Sequence, residues 1–195
     1  MFKQLIASVA SLSLLATAPA VAAVEGFDAS HQQLLDSLRS SGVYVELNVP
    51  QLCDSVKSDS SKHGVYFYSD KHDTALMGIC QDFGGKGPEV QWTANDLDTL
   101  RHESVHYLQD CLDGSVDGTM DPIYDGPGGY SPIDYNIKDV ISAIGYGPAM
   151  SIIKRYEEAG ADAEVIRLEL EAFFIAYSQD ASIIAKSIDA NCPAQ

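Results

Sequence analysis

The pattern of apolar residues changes character at Thr93, and that change constrains the architecture of the chain more than any other feature. Before it come four short runs, residues 43–49 (VYVELNV), 64–70 (GVYFYSD), 74–80 (TALMGIC) and 89–92 (EVQW), rich in β-branched and aromatic side chains. Ser, Asp, Lys and Gly clusters separate them, as expected for the strands of a small sheet. A short amphipathic helix over residues 30–42 precedes them, with Leu34, Leu35 and Leu38 on one side and Gly42 as its stop. From Thr93 onward the periodicity is helical. Thr93 is an N-cap, with Asn95, Asp96 and Asp98 in the first turns, and this helix is expected to run to about Leu112. Residues 113–132 are rich in Gly, Asp and Pro and read as loop. Helices over residues 136–144, 148–159 and 161–188 are expected to follow. The sum is an α+β chain in which a small, mostly antiparallel sheet packs on one helix and the C-terminal half is helical. At 195 residues there is material for one core, and a single domain over residues 24–195 is expected.

The helix that opens at Thr93 carries His102, Glu103, Ser104, Val105 and His106, the pattern HExxH. Spacing of i, i+4 puts both imidazoles on one side, a turn apart, where they can chelate one zinc ion. On a helical wheel Leu97, Leu100, Ser104, Leu108 and Cys111 cluster together and the histidines lie roughly opposite. One face can therefore pack in the core while the other looks into a cleft. Glu103 falls beside the pair, where its carboxylate can act as a general base without ligating the metal.

A catalytic zinc site needs a third protein ligand and an open position. Gln109 and Leu112 stand where the HExxHxxGxxH arrangement requires Gly and His, which excludes that class. Glu169 and Glu171 lie on the last predicted helix. Glu169 shares its face with Val165, Ala172, Phe173 and Ala176, and Glu171 shares its face with Glu164, Ser178 and Ser182. A carboxylate on an apolar face costs several kcal/mol to desolvate, and ligating a metal offsets that cost. Glu171 needs no such explanation, and Ala172 and Ala176 are small enough to bring this helix close to the first.

HESVH followed downstream by an ExEA helix resembles the gluzincin branch of the zincin metallopeptidases, in which the first Glu of an E-x-x-A pattern is often the third ligand. The resemblance covers the two helices, implies a zincin-like fold, and puts the third ligand at Glu169 with Ala172 at the matching position. Many such families continue with Asp after that Ala, whereas Phe173 stands here. A second resemblance is to the aspzincins, through Gly118, Thr119, Asp121 and Tyr124, with Asp125 in place of their final Gly. It would make Asp121 the ligand. Glu169 is preferred, with Asp121 and Glu171 left open.

These residues imply a zinc metallopeptidase in which Glu103 takes a proton from water and passes it to the leaving amine. An oxyanion donor is expected among Tyr130, Tyr135, Tyr146 and Tyr177, and the EVQW segment is expected to pair with extended substrate. The alternatives are an exported zinc-binding domain without turnover, and a cell-envelope interaction protein in which the motif is accidental.

Residues 1–23 combine Lys3, an apolar run interrupted by serines, and Ala20, Ala22 and Ala23, the layout of a cleaved secretory signal. The mature protein is thus expected to be secreted or periplasmic, free of the membrane and a monomer, with a peptide or protein as its substrate. Cys53, Cys80, Cys111 and Cys192 all fall in the mature part, where an oxidising compartment favours disulfides. Spacing leaves all three pairings open, and Cys53 with Cys80 and Cys111 with Cys192 is the expected one. A formal charge of −16 argues against nucleic acid and anionic membranes as partners. His31, His63 and His72 sit among polar residues and are expected to be exposed. Asp113, Asp117, Asp121 and Asp125 do not match the EF-hand pattern, and Gln109 is either a neighbour of the metal site or polar surface.

Overall fold

The computed structural model describes residues 27–57, 63–82, 91–123 and 137–192. It is an α+β arrangement with a small mixed sheet and mostly helical content. Helix α1 (Ala29–Ser40) leads into β1 (Tyr44–Leu47), α2 (Pro50–Lys57), β2 (Gly64–Ser69) and β3 (Thr74–Ile79). Helix α3 (Ala94–Cys111) follows, then α4 (Ile137–Ile144), α5 (Tyr146–Glu158), α6 (Ala163–Ser178) and α7 (Ala181–Asn191).

Among the described residues the sheet has three strands, in the order β1-β3-β2. β2 and β3 form an antiparallel hairpin, but β1 runs parallel to β3, so the sheet is mixed where a mostly antiparallel one is expected. The reason is α2, which the sequence reading did not anticipate. It opens on Pro50, a residue suited to a first helical position, and it lies in the link that carries the chain from β1 to β2 at the far edge, so that β3 returns between them, parallel to β1. The EVQW segment is described only in its second half. Gln91 and Trp92 are irregular, and Glu89 and Val90 lie outside the described residues. Trp92 is buried against the Phe27 ring, with centroids 4.8 Å apart, one residue before the cap of α3.

Helix α3 is the axis of the molecule. It starts as the sequence predicts, with Thr93 and Asp96 forming a reciprocal capping box. Asp82, just after β3, accepts hydrogen bonds from Thr93 Oγ1 at 2.7 Å and Asn95 Nδ2 at 2.9 Å, and so pins the sheet to the helix start. The expected stripe of Leu97, Leu100, Ser104, Leu108 and Cys111 is buried, and so are Glu103, Val105, His106, Tyr107, Gln109 and Asp110. Burial goes all round because α3 packs on β2 and β3 on one side and on α6 and α7 on the other.

The expected helix over residues 161–188 is two helices. Gln179 adopts an extended conformation, and Asp180 then caps α7 through the Ser182 N–H. The break folds α7 back against α1 and α3. Disulfides join Cys53 to Cys80 and Cys111 to Cys192, the expected pairing, the second tying the end of α3 to the end of α7. Two such bonds fit an oxidising compartment. No helix among the described residues is long and apolar enough to cross a membrane. The proposed signal segment lies outside the described residues, as do Tyr124, Asp125, Tyr130 and Tyr135.

Candidate metal centre

His102 and His106 project from successive turns of α3, and Glu169 reaches them from α6. The three residues form a group whose ligand atoms all lie within 4.8 Å of one another and can hold a metal ion. Their contact atoms make a nearly equilateral triangle. His102 Nε2 and His106 Nε2 are 3.1 Å apart, and Glu169 Oε2 is 3.3 Å from the first and 3.5 Å from the second. The two imidazoles meet edge to face, and the Phe173 ring packs on His102 with centroids 4.2 Å apart. Phe173, the residue after Ala172, thus packs directly on the His102 ring.

Helices α3 and α6 pack together, and Ala172 and Ala176 of α6 are both buried. Arg101 locks the contact, donating from Nε to Ala176 O at 2.8 Å. The guanidinium also touches Asp98 and His31 Nε2, and His31 Nδ1 lies 2.9 Å from Asp28. His31 is thus 4% exposed, contrary to the surface position expected for it: the Asp28 cap and the Arg101 side chain supply the polar partners that make its burial tolerable. His72 is exposed as expected.

A cation suits the electrostatics of the triangle. Glu169 Oε2, one corner of the triangle, is buried without a hydrogen-bond partner, as is His102 Nδ1, the nitrogen of that ring that lies outside the triangle. Burial on its own would raise the Glu169 carboxyl, but the two imidazoles outweigh it and hold the group far below the ordinary range. Burial likewise opposes a charged His106, yet Glu169 and Glu103 outweigh it and push that imidazole up to about 9. Lone pairs directed at one point thus draw positive charge, whether a proton or a metal.

Glu103 stands beside the triangle without joining it. It is buried and accepts a hydrogen bond from the Tyr66 N–H of β2. Burial raises its carboxyl above the ordinary value despite the nearby imidazoles, which moves it toward the range of a useful base. Gly64 makes room for it: a Cβ there would lie 2.6 Å from Thr99 Cγ2 and 2.8 Å from Glu103 Oε1. The Tyr66 side chain holds the same helix a second time, its hydroxyl donating to the buried Asp110.

Glu169 alone of the three candidate carboxylates joins the imidazoles. Asp121 stays outside the group and is held by its backbone, its N–H donating to Gln109 O at 2.9 Å. Glu171 is fully buried, a correction to its expected place on a solvent-facing side of the helix. Glu164 and Ser178 on that side are exposed, but the chain at Ile123 covers Glu171, and Ile123 N–H donates to its Oε2 at 3.0 Å. Gln109 Nε2 donates to the same oxygen at 2.7 Å, and Gln109 Oε1 lies 2.7 Å from His106 Nδ1.

A cleft of about 610 Å³ reaches the His102 corner of the triangle. His102 and Glu103 lie on its α3 wall, Ile152, Arg155 and Tyr156 on its α5 wall, and Phe173 on its α6 wall. His63 and Gly64 stand at the end of β2, with His63 Nδ1 3.6 Å from Asp82, so His63 lines the cleft where a plain surface position is expected. Tyr156, which the sequence reading missed, hydrogen-bonds Glu169, and burial and then the Glu169 charge push its hydroxyl well above the ordinary value. Its signal was the i, i+3, i+7 face of Ala149, Ile152 and Tyr156, of which the first two are buried. Tyr146 is exposed on α5, and Tyr177 lines the cleft from an exposed position. Comparison of the chain with family models, curated proteins and solved structures gave no match.

Proposed function

We propose that the chain is an exported, zinc-dependent peptidase of the gluzincin type, with His102, His106 and Glu169 as ligands and Glu103 as general base. The observation that carries the reading is the triangle itself. Ligand atoms 2.0–2.1 Å from a tetrahedral zinc ion stand roughly 3.3 Å apart, and the three edges here are 3.1, 3.3 and 3.5 Å. Two imidazoles and one carboxylate are a donor set that zinc accepts with a fourth position open.

Zinc, when bound, supplies a Lewis-acid charge that polarises the scissile carbonyl and makes water easier to deprotonate. The remaining work falls to the chain. Glu103, oriented by the Tyr66 N–H, takes the proton as water adds to the carbonyl carbon, then delivers it to the nitrogen as the C–N bond breaks. Tyr156 opens onto the cleft beside Glu169, to which its hydroxyl donates, and we assign that hydroxyl to the developing oxyanion, its one hydrogen turning from Glu169 to the substrate as charge builds there. Among the described residues β2 is an edge strand whose His63–Gly64 end lines the cleft, and we place the pairing with an extended substrate there. The disulfides and the residue 1–23 pattern support export.

The test compares wild type with Glu103→Gln for zinc content and for cleavage of a broad peptide library. The expected result is one zinc per chain in both proteins, with cleavage reduced about 10²–10⁴-fold in the variant. Bound zinc with no cleavage by either protein would replace the peptidase with a metal-holding domain, and absence of zinc from both would remove the metal centre altogether.

A further inference from the structure

Gln109 is fully buried and its amide can point only one way. Nε2 faces two groups that only accept, Leu168 O at 3.1 Å and Glu171 Oε2 at 2.7 Å. Oε1 is therefore the atom presented to His106 Nδ1, and an amide oxygen only accepts, so Nδ1 carries the proton. That leaves Nε2, the atom of the metal triangle, with its lone pair directed at the site. The ring is held in this tautomer by a chain of hydrogen bonds running from His106 through Gln109 to Glu171.

The same two residues hold the segment that closes the back of the site. Gln109 O accepts from Asp121 N–H at 2.9 Å, and Glu171 Oε2 accepts from Ile123 N–H at 3.0 Å. Glu171 Oε2 thus takes one bond from the relay and one from the segment, and the Gln109 peptide anchors the other end. Any change that pulls residues 121–123 away strips the Ile123 donor from Glu171 and the Asp121 donor from the Gln109 carbonyl, and loosening Gln109 frees the His106 ring.

From this geometry we infer that Gln109 and Glu171 are positioning residues that orient His106 for the metal and link its affinity to the attachment of residues 121–123. The inference rests on the proposed metal centre. Linkage is reciprocal: if the docked segment tightens metal binding, bound metal must tighten the docking by the same factor. Outer partners of metal-ligating imidazoles typically contribute 10–100-fold in affinity.

The test measures the zinc dissociation constant by chelator competition, together with hydrogen exchange at the Asp121 and Ile123 amides with and without zinc. Wild type, Gln109→Met and Glu171→Gln are compared in the full mature chain. We expect zinc to slow exchange at both amides in wild type. Gln109→Met should weaken zinc binding 10–100-fold and abolish that slowing, whereas Glu171→Gln, which keeps an acceptor oxygen and nearly the same volume, should recover much of both. Thermal unfolding without zinc identifies a variant that has failed to fold, and Glu171→Gln then carries the test through a partial loss of the zinc-induced slowing. Stoichiometric zinc in wild type with unchanged exchange, or an affinity in a folded Gln109→Met within threefold of wild type, overturns the inference and leaves the metal centre standing. Absence of zinc from wild type overturns both.

Discussion

The two carboxylates of α6, Glu169 and Glu171, stand two residues apart and meet opposite environments. Glu169 keeps partial exposure, with 17% of its side chain open to solvent, and turns its Oε2 to two imidazoles. Glu171 is fully buried and spends its Oε2 on an amide and a backbone N–H. One side of the His102–His106 turn is thus a cleft with converging lone pairs, and the other is a closed hydrogen-bonded back. On the proposed reading, one helix supplies both a ligand and the means of orienting another. Lone pairs left without donors attract a cation, whereas lone pairs matched to N–H groups make a rigid frame.

Substitutions that break the cleft side should cost most. Glu169→Gln removes the charge of the triangle and should weaken zinc binding by more than ~100-fold, beyond what loss of an outer partner does, with peptide cleavage lost at trace zinc. Chelator competition measures the first and a fluorogenic peptide the second. Tyr156→Phe is milder: zinc content should stay at wild-type level while kcat falls about 10²-fold, the scale for one oxyanion donor, with little change in KM. A KM effect without a kcat effect would make Tyr156 a substrate contact instead. Gly64→Ala should be smallest, because Thr99 and Glu103 can shift part of the way. We expect a stability loss of about 1–3 kcal/mol, the scale of overpacking, and a drop in kcat with zinc retained, read by thermal unfolding and steady-state kinetics.

How much of this was legible depends on how local each cause is. The start of α3, its buried stripe and the HExxH pair follow from the spacing of residues within one helix, and the sequence carries all of them. Glu169 was legible because a lone carboxylate beside Ala172, Phe173 and Ala176 needs a reason to be there. Glu171 was misread because its cover comes from Ile123, far away in the chain, and no periodicity in α6 encodes a neighbour of that kind. The parallel pairing of β1 was hidden for the same reason, since it depends on the path the chain takes through α2. The break between α6 and α7 could have been read from Asp180, an N-cap residue followed by a fresh apolar period. No motif singles out Tyr156 from Tyr146 or Tyr177, but its place on the buried side of α5 was open to the same wheel argument used for α3.

The most direct measurement is X-ray absorption at the zinc edge on the purified mature chain, paired with Glu169→Gln. The account predicts one zinc per chain bound by two imidazole nitrogens and at least one oxygen at about 2.0–2.2 Å, with an altered or lost oxygen contribution in the variant. A metal bound through sulfur, or an unchanged first coordination sphere in Glu169→Gln, would contradict it.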